Sequence, residues 1–267
     1  MPKTFNVICI KWGTDYTAED VNKLCAAVKR NTAYDIAFYC FTEDGRGLSP
    51  DITVHPLPVM RVAPEHNKYA YQKEAGLCDD TLGGLTGQRV FFFDLDSLIV
   101  GNLDAFFDYP QGDGFYIIND WKHRRGPLKN KVGQASCYSF TVGTLGFVKA
   151  RFEADPEGIL AQYHTASQEF LSAQVIGKYG ALNFWPDAWF KSFRLHCMRN
   201  AIARWFLMPK KPGNPDLKMI AFHGTTGIRE AIDGVWSRNL ESSKYPRGWK
   251  KIYKHVQPTP WILDDWK

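Results

Sequence analysis

The sequence predicts an α/β fold in which a mixed, mostly parallel sheet is flanked by helices. In the first half, short apolar runs rich in β-branched residues alternate with amphipathic helical stretches, the order expected when helical crossovers join parallel strands. The run 89–93 (RVFFF) shows no polar alternation after its first residue, as expected for a strand buried on both faces. A length of 267 residues is usual for one domain of this class.

Local patterns define the elements of the first half. Thr17, with Asp20 three residues later, predicts the start of a helix, and apolar residues then repeat at helical spacing. Apolar runs with β-branched or aromatic residues, bounded by turn residues, predict strands. Such runs occupy residues 5–10, 35–41, 52–57 and 89–93.

The second half of the chain is more mixed. It predicts a strand near 139–148, a helical stretch over 156–178, and a strand at 218–222 that ends at His223 and Gly224. We assign residues 1–240 to one domain. Because parallel sheets bind ligands beyond the carboxyl ends of their strands, we expect a site near 11–16 and 94–96.

The net charge of +5 is unevenly distributed, which suggests anionic partners. Segments 121–131 and 244–254 each contain five Lys or Arg residues and no acidic residue. We interpret segment 121–131 either as a solvated loop or as a contact for an anionic acceptor. The tail, residues 241–267, combines basic residues with Trp249, Tyr253, Trp261 and Trp266. We expect this tail either to pack on the domain or to contact a membrane surface.

Hydropathy and cysteine usage bear on location. No apolar run approaches the roughly 20 residues that cross a bilayer, and the early apolar stretch is too short for a signal peptide. The six cysteines form no C-x-x-C pair and are expected to be buried free thiols. We therefore expect a cytoplasmic protein, with peripheral contact at the inner face of a membrane as a further possibility and no nucleic-acid partner.

Two carboxylates, Asp94 and Asp96, directly follow the buried run. In an extended chain, residues two apart share a face at a spacing of about 7 Å, so that Leu95 would pack away from both. Neighbouring carboxylates at a buried strand end repel each other, and a divalent cation would neutralise them. Mg²⁺ and Mn²⁺ prefer six oxygen ligands. The two aspartates, two phosphate oxygens of a diphosphate and water can supply them.

The D-x-D pattern also has a plain structural interpretation, in which it ends a strand and starts a turn. Here the pair follows a complete α/β half and precedes a second apolar run and the segment Asn102-Leu103-Asp104. This context favours a metal site.

The segment FFFDLDSLIVGNLDAFF, residues 91–107, resembles the GT-A glycosyltransferases, particularly glycosyltransferase family 8, which includes glycogenin and bacterial lipopolysaccharide glucosyl- and galactosyltransferases. The resemblance extends from about Phe5 to Arg229. It implies a GT-A, Rossmann-like fold and a metal-dependent hexosyltransferase that uses Mn²⁺ or Mg²⁺. It also implies a nucleotide-sugar donor, preferably a UDP-sugar, a glycan or glycolipid acceptor, and retention of anomeric configuration.

The same resemblance implies positions for donor binding. The loop after the first strand is similar to the loop that holds the nucleotide base, with Tyr16 placed to stack on uracil. Lys73 is similar to a basic residue near the donor, and 139–146 is similar to the family's N-x-G-V strand, with Thr141 where Asn is usual. The donor residues implied are Lys11, Trp12, Gly13, Asp15, Tyr16, Lys73, Thr141, Gly143, Gly224 and Arg229.

His223 is similar to the family's third metal ligand, in a motif of the type H-x-x-G-x-x-K-P. The alternative for an isolated His at a strand end is a structural hydrogen bond. The motif departs from the family pattern because Gly224 follows the His directly, Arg229 replaces the phosphate-binding Lys, and the Pro is absent. Arg can still contact a diphosphate through two N–H groups.

Residues Ser167-Gln168-Glu169 resemble the family's D-Q-D turn, which lies beneath the reacting sugar, although Ser167 departs from it. The resemblance implies Gln168 and Glu169 as catalytic residues. The alternative is a helix start, with Ser167 as cap and Glu169 favoured near the positive end of the helix.

Two other classes of function remain open at the level of sequence. One is a non-catalytic protein that binds a sugar nucleotide or a glycan, which the altered His-Gly loop permits. The other is a haloacid-dehalogenase phosphatase with Asp94 as nucleophile. In that class the D-x-D motif usually opens the chain, whereas here more than ninety residues precede it.

Overall fold

The computed structural model describes residues 3–238 and 245–267. The strands, in chain order, are β1 (Thr4–Lys11), β2 (Asp35–Thr42), β3 (Ile52–His55), β4 (Arg89–Phe93), β5 (Ser97–Ile99), β6 (Tyr116–Asn119), β7 (Gly133–Thr141), β8 (Asn183–Phe184), β9 (Phe190–Ser192) and β10 (Met219–Ala221). The α-helices are α1 (Ala18–Arg30), α2 (Tyr69–Glu74), α3 (Asp104–Asp108), α4 (Gly146–Ala154), α5 (Pro156–Tyr163), α6 (Ser167–Tyr179) and α7 (Ile228–Asp233).

The main sheet has the strand order β3-β2-β1-β4-β7-β6-β8. Strands β3, β2, β1 and β4 are mutually parallel, whereas β7 runs antiparallel to both of its neighbours, β4 and β6. The carboxyl ends of β1 and β4 therefore meet at one edge of the sheet, which places the loop after Lys11 beside Asp94. The predicted α/β class with a mixed, mostly parallel sheet is confirmed.

A second, three-stranded sheet has the order β5-β10-β9 and lies against this edge. Strand β10 pairs antiparallel with β5, which begins directly after Asp96. The backbone N–H of Phe222 donates to the carbonyl oxygen of Asp96 at 3.0 Å. This pairing brings the segment that starts at His223 next to the acidic pair, although more than 120 residues separate them in the chain.

Helices cover both faces of the main sheet. On one face α1, α3 and the end of the chain pack against Phe91 and Phe93. On the other face α2, α4, α5 and α6 pack against Val90 and Phe92. Strand β4 is therefore buried on both sides, as its apolar sequence predicts, and all six cysteines are buried free thiols, also as predicted.

Three sequence predictions require correction. The strand predicted over 139–148 begins earlier and ends at Thr141, because Gly143 has a positive φ of +98° and the chain turns there into α4. The helical stretch 156–178 is two helices, α5 and α6, separated at His164, which has φ +49°. Ser167 is the first residue of α6 rather than its cap, since the cap position is Ala166.

The described part of the predicted tail lies against the domain near its end, whereas residues 241–244 lie outside the described residues. Trp266 is buried in the core that contains Phe93, and the Trp261 indole N–H donates to the carbonyl oxygen of Pro209 at 2.9 Å. Arg30 of α1 donates to the carbonyl oxygens of Asp265 and Lys267. Within residues 3–238 and 245–267, no helix is long and apolar enough to span a bilayer.

Gly101, in the segment that continues from the acidic pair, lies against the backbone that leads into β10. A Cβ atom at this position would lie 2.2 Å from the carbonyl oxygen of Leu217. Backbone atoms held by strand pairing cannot move aside as a flexible side chain can, so this position excludes any side chain.

We expect Gly101→Ala to lower the free energy of unfolding by about 1–3 kcal/mol, the usual range for overpacking. Urea denaturation followed by circular dichroism measures it. The matched control is Gly177→Ala in α6, where a Cβ meets nothing within 4 Å and where alanine is expected to stabilise by about 0.5–1 kcal/mol. Equal effects of both substitutions would contradict this account of Gly101.

Candidate active site

The acidic pair lies in a turn between β4 and β5, not in an extended strand. The Ser97 N–H donates to the carbonyl oxygen of Asp94 at 3.0 Å, which closes the turn, and Leu95 packs into the core. The extended geometry assumed from sequence is therefore wrong, although Leu95 does pack away from the two carboxylates. The Asp94 N–H donates to the backbone carbonyl oxygen of Ser136 in β7 at 2.9 Å, which anchors the turn to the main sheet.

Asp94 is paired with a partly buried lysine. Lys73 Nζ lies 2.7 Å from Asp94 Oδ2 and 3.5 Å from Glu74 Oε1. Burial by itself lowers the pKa of Lys73, but the charges of Asp94 and Glu74 outweigh it and raise this pKa well above its usual value. Lys73 is therefore a permanent cation that compensates part of the local negative charge.

Asp96 has no such partner. Its Oδ1 atom is buried and makes no hydrogen bond within the described residues. Burial and the nearby charge of Asp94 raise the pKa of Asp96 well above its usual range. An unpaired carboxylate next to a second one is a position at which a cation would be stabilised.

Asp96 lines a polar cleft of about 550 Å³. One wall is the loop after β1, with Thr14, Asp15 and Tyr16, and the opposite wall is the segment from Gly224 to Glu230. Trp266, from the end of the chain, also lines the cleft. Burial, followed by the charges of Asp96 and Asp94, raises the pKa of the Tyr16 hydroxyl well above its usual value, so this ring lies close to the acidic pair.

Arg229 connects the two walls. It donates to Thr17 Oγ1 at 2.7 Å and lies 2.8 Å from Asp20 Oδ2, at the start of α1. Gly224 has a φ of +102°, which favours glycine, and this conformation turns the chain into the cleft wall. The structure thus brings together five residues that the sequence assigned to the donor or the metal: Asp15, Tyr16, Asp96, Gly224 and Arg229.

His223 is held by other contacts. Its Nε2 atom lies 2.7 Å from Ser192 Oγ, and its ring stacks on Trp121 with centroids 5.8 Å apart. Burial, the charge of Lys122 and further basic neighbours lower its pKa to about 4, so the imidazole is neutral at physiological pH. Among residues 3–238 and 245–267, no three His, Cys, Asp or Glu side chains lie close enough together to hold a metal. The structure therefore does not assemble His223 with the two aspartates.

The last residue of β1 and the first two residues of the loop after it make contacts outside the cleft lining. Lys11 is buried, with Nζ 3.5 Å from the carbonyl oxygen of Asp44, and the Trp12 ring contacts Tyr69. The Gly13 N–H donates to Glu43 at 2.8 Å. None of these three residues lines the cleft, whereas Thr14, which lies in the predicted loop 11–16 but was not named as a donor residue, does.

Thr141 and Gly143, which sequence analysis assigned to donor binding, do not line the cleft. Thr141 pairs with Arg89, at the beginning of β4, whereas Asp94 follows the end of that strand. Five residues of extended chain separate the two positions by about 16 Å. The error arose because β7 runs antiparallel to β4, so its carboxyl end lies at the opposite edge of the sheet. The part of β7 that reaches the acidic pair is Gln134–Ser136.

The start of α6 connects to the acidic pair through buried side chains. Ser167 lies close enough to Glu74 to lower the pKa of its carboxyl group, Glu74 lies beside Lys73, and Lys73 pairs with Asp94. Gln168 Oε1 accepts the N–H of Ala135 at 3.5 Å, one residue from the strand position that holds Asp94. Glu169 is half-buried next to it, and its N–H donates to Ala166 at 2.9 Å.

Sequence analysis missed the roles of two acidic residues, Glu74 and Asp20. Glu74 is buried, and its burial raises the pKa of its carboxyl group. Asp20, which sequence analysis selected only as a helix-start residue, also binds Arg229. Sequence offers no pattern that would identify either role, since their partners Ser167 and Arg229 lie about 90 and 200 residues further along the chain.

We expect Lys73→Met to lower stability by about 3–5 kcal/mol, because it leaves two neighbouring carboxylates without their internal cation. We further expect Mn²⁺ to raise the melting temperature of this variant more than that of the wild type, since a divalent ion replaces the lost charge. Thermal denaturation with and without Mn²⁺ measures both effects.

The matched control is Lys149→Met. Lys149 has a similar exposure, with 13% of its side chain exposed against 14% for Lys73, but its partners Asp79 and Glu153 are not part of the cleft. Mn²⁺ should not restore the stability of the control variant. An equal response of both variants to Mn²⁺ would remove the assignment of a cation to the acidic pair.

Comparison with known proteins supports the fold assignment. No protein-family model and no curated protein matches the sequence. The structure is similar to that of the galactosyltransferase LgtC in complex with donor and acceptor sugar analogues, with a TM-score of 0.54 and 12% identity, over 90% of this chain and 92% of that chain. A structure of an active-site mutant of LgtC matches with the same values. The chain therefore has the GT-A fold that its sequence predicted.

Proposed function

We propose that this chain is a metal-dependent hexosyltransferase that transfers a hexose from a nucleotide sugar, preferably a UDP-sugar, to a hydroxyl group of a glycan or glycolipid. The observation that carries the proposal is the unpartnered Asp96 Oδ1 atom beside Asp94, at the base of a polar cleft. A phosphatase with Asp94 as nucleophile is disfavoured, because Asp94 is already engaged by Lys73 and the fold is of the GT-A type.

Asp94 and Asp96 would hold the divalent cation, Mn²⁺ or Mg²⁺, in this proposal. When bound, the cation supplies positive charge that stabilises a departing diphosphate. The donor set fits a hard cation because it consists of carboxylate oxygens. Burial and the charge of Asp94 raise the pKa of Asp96, and such an ion would stabilise the charged carboxylate against both.

The walls of the cleft supply groups suited to a nucleoside diphosphate. Arg229 would exchange its contacts with Thr17 and Asp20 for the diphosphate, to which guanidinium can donate two parallel hydrogen bonds. Gly224 lets the backbone approach these phosphates closely because it lacks a side chain. Tyr16, opposite them, is placed to stack on the base, and Asp15 lies next to it.

Gln168 and Glu169 are proposed to face the sugar, on which positive charge develops as the bond to the diphosphate breaks. The acceptor hydroxyl would form the new bond to the anomeric carbon on the side from which the diphosphate leaves. Bond formation on that side retains the anomeric configuration, and the proton of the acceptor hydroxyl passes to the departing phosphate oxygen. The contact of Gln168 with the Ala135 N–H places the start of α6 beside the part of β7 that holds Asp94.

One observation favours a second candidate, a protein that binds a sugar nucleotide without transfer. His223, the implied third metal ligand, is bound to Ser192 and stacked on Trp121 rather than grouped with the acidic pair. Whether His223 joins them when donor and metal are bound stays a prediction.

We expect the isolated protein to hydrolyse one or more UDP-sugars slowly in the presence of Mn²⁺, and we expect Asp96→Asn to reduce this rate at least about 100-fold. Nucleotide release in a coupled assay measures it. The control is Asp113→Asn, because Asp113 binds Thr141 at the far edge of the sheet and should leave the rate unchanged. A sugar nucleotide that raises the melting temperature without any hydrolysis would favour the binding protein.

Retention has its own test. With an accepted donor and acceptor, the first product seen in an NMR time course should carry the anomeric configuration of the donor. A first product of inverted configuration would refute the assigned roles of Gln168 and Glu169 while leaving the transferase proposal intact.

A further inference from the structure

Large apolar side chains protrude into solvent on one surface of the protein. Phe206 is 81% exposed, Ile202 78% and Trp249 69%. Leu207, Met208 and Ile252 are also about half or more exposed in the same two segments. We call the surface formed by residues 199–211 and 245–254 the aromatic-basic surface. Sequence analysis had selected only its second segment.

The two segments are joined into one surface by hydrogen bonds. The Trp205 indole N–H donates to the carbonyl oxygen of Ile252 at 3.0 Å, and Arg204 donates to that of Tyr253 at 2.9 Å. Gln257 donates to the carbonyl oxygen of Trp205 at 2.8 Å, and the Trp205 ring lies 4.0 Å from the His255 ring. The exposed apolar side chains of both segments are therefore presented together.

The charged residues of this surface are all basic. Residues 199–211 and 245–254 contain eight Lys and Arg residues and no Asp or Glu. Lys211 pairs with Asp265, outside the two segments. Lys210, Lys250, Lys251 and Lys254 add positive charge around the apolar side chains.

This combination identifies the chemistry of the partner. A second protein chain would cover apolar side chains, but clustered lysines are depleted at the core of protein interfaces. Nucleic acid would attract the basic residues but would leave aliphatic side chains such as Ile202 and Leu207 in water. An anionic bilayer satisfies both, because apolar side chains enter the headgroup–acyl boundary while lysines contact anionic headgroups.

We propose that the aromatic-basic surface docks this protein on anionic lipid membranes, with Ile202, Phe206, Trp249 and Ile252 inserted at the headgroup boundary. The tail alone does not form this surface. Trp261 and Trp266 pack on the domain and hold the chain end in place, so they are not available for insertion. The segment around Phe206 supplies the larger apolar part.

The surface also lies close to the cleft. Arg194 is near enough to Arg204 for its charge to lower the pKa of Arg204, after the larger effect of burial. A Cβ atom at Gly224 would lie 3.4 Å from the same Arg194 guanidinium. If the proposed transferase function holds, a docked protein would present its cleft to an acceptor carried on the membrane surface.

Co-sedimentation with vesicles tests the docking. The wild-type protein should bind vesicles of phosphatidylcholine mixed with phosphatidylglycerol, and bind pure phosphatidylcholine much more weakly. The double variant Ile202→Ser with Phe206→Ser should lower the partition coefficient at least about tenfold. The reason is that loss of one inserted apolar side chain lowers membrane affinity by roughly tenfold. Lys250→Gln with Lys251→Gln should lower binding to the anionic vesicles only, and added salt should reproduce this loss.

The control is Val59→Ser, because Val59 is 75% exposed but lies outside both segments, and it should bind as the wild type does. Circular dichroism establishes that the variants are folded, and donor hydrolysis without vesicles separates a failure of docking from a failure of the proposed transferase. Unchanged vesicle binding by the Ile202/Phe206 variant would overturn the proposal. So would a wild type that ignores vesicles and forms a dimer, seen by analytical ultracentrifugation, which Phe206→Ser dissociates.

Discussion

The site depends on the placement of two carboxylates where water solvates them poorly. Asp94 is compensated by Lys73, whereas Asp96 keeps a buried oxygen without a hydrogen-bond partner. A protein core tolerates such a group only when it is neutral or meets a cation. The pKa of Asp96 is raised accordingly by burial and by Asp94. The turn that holds both residues is anchored by β7 on one side and β10 on the other, so the charge imbalance is built into the fold.

Each of the two sheets positions one wall of the cleft. The main sheet places the loop after β1 beside the acidic turn, because parallel strands end at a common edge. The small sheet carries the 224–230 segment to the opposite side by pairing β10 with β5. Arg229 then spans the gap to Thr17 and Asp20. A polar cleft of about 550 Å³ therefore lies between segments that come from the beginning, the middle and the end of the domain.

The chain end has two different parts. Trp261 and Trp266 are attached to the domain, and Trp266 lines the cleft. Trp249 and Ile252 instead join the exposed surface formed around Phe206. Packing on the domain therefore involves Trp261 and Trp266, whereas the proposed membrane contact involves Trp249 and Ile252.

The sequence by itself determined the α/β class, β4 with its acidic pair, and the start of α1, because each follows from local periodicity and from charge at a strand end. Tertiary structure decided the rest. The antiparallel direction of β7 removed Thr141 and Gly143 from the site and put Gln134–Ser136 there instead. The pairing of Lys73 with Asp94 and of Arg229 with Asp20, and the contact of His223 with Ser192, join residues far apart in the chain. Such contacts depend on strand order and direction, which residue periodicity does not encode.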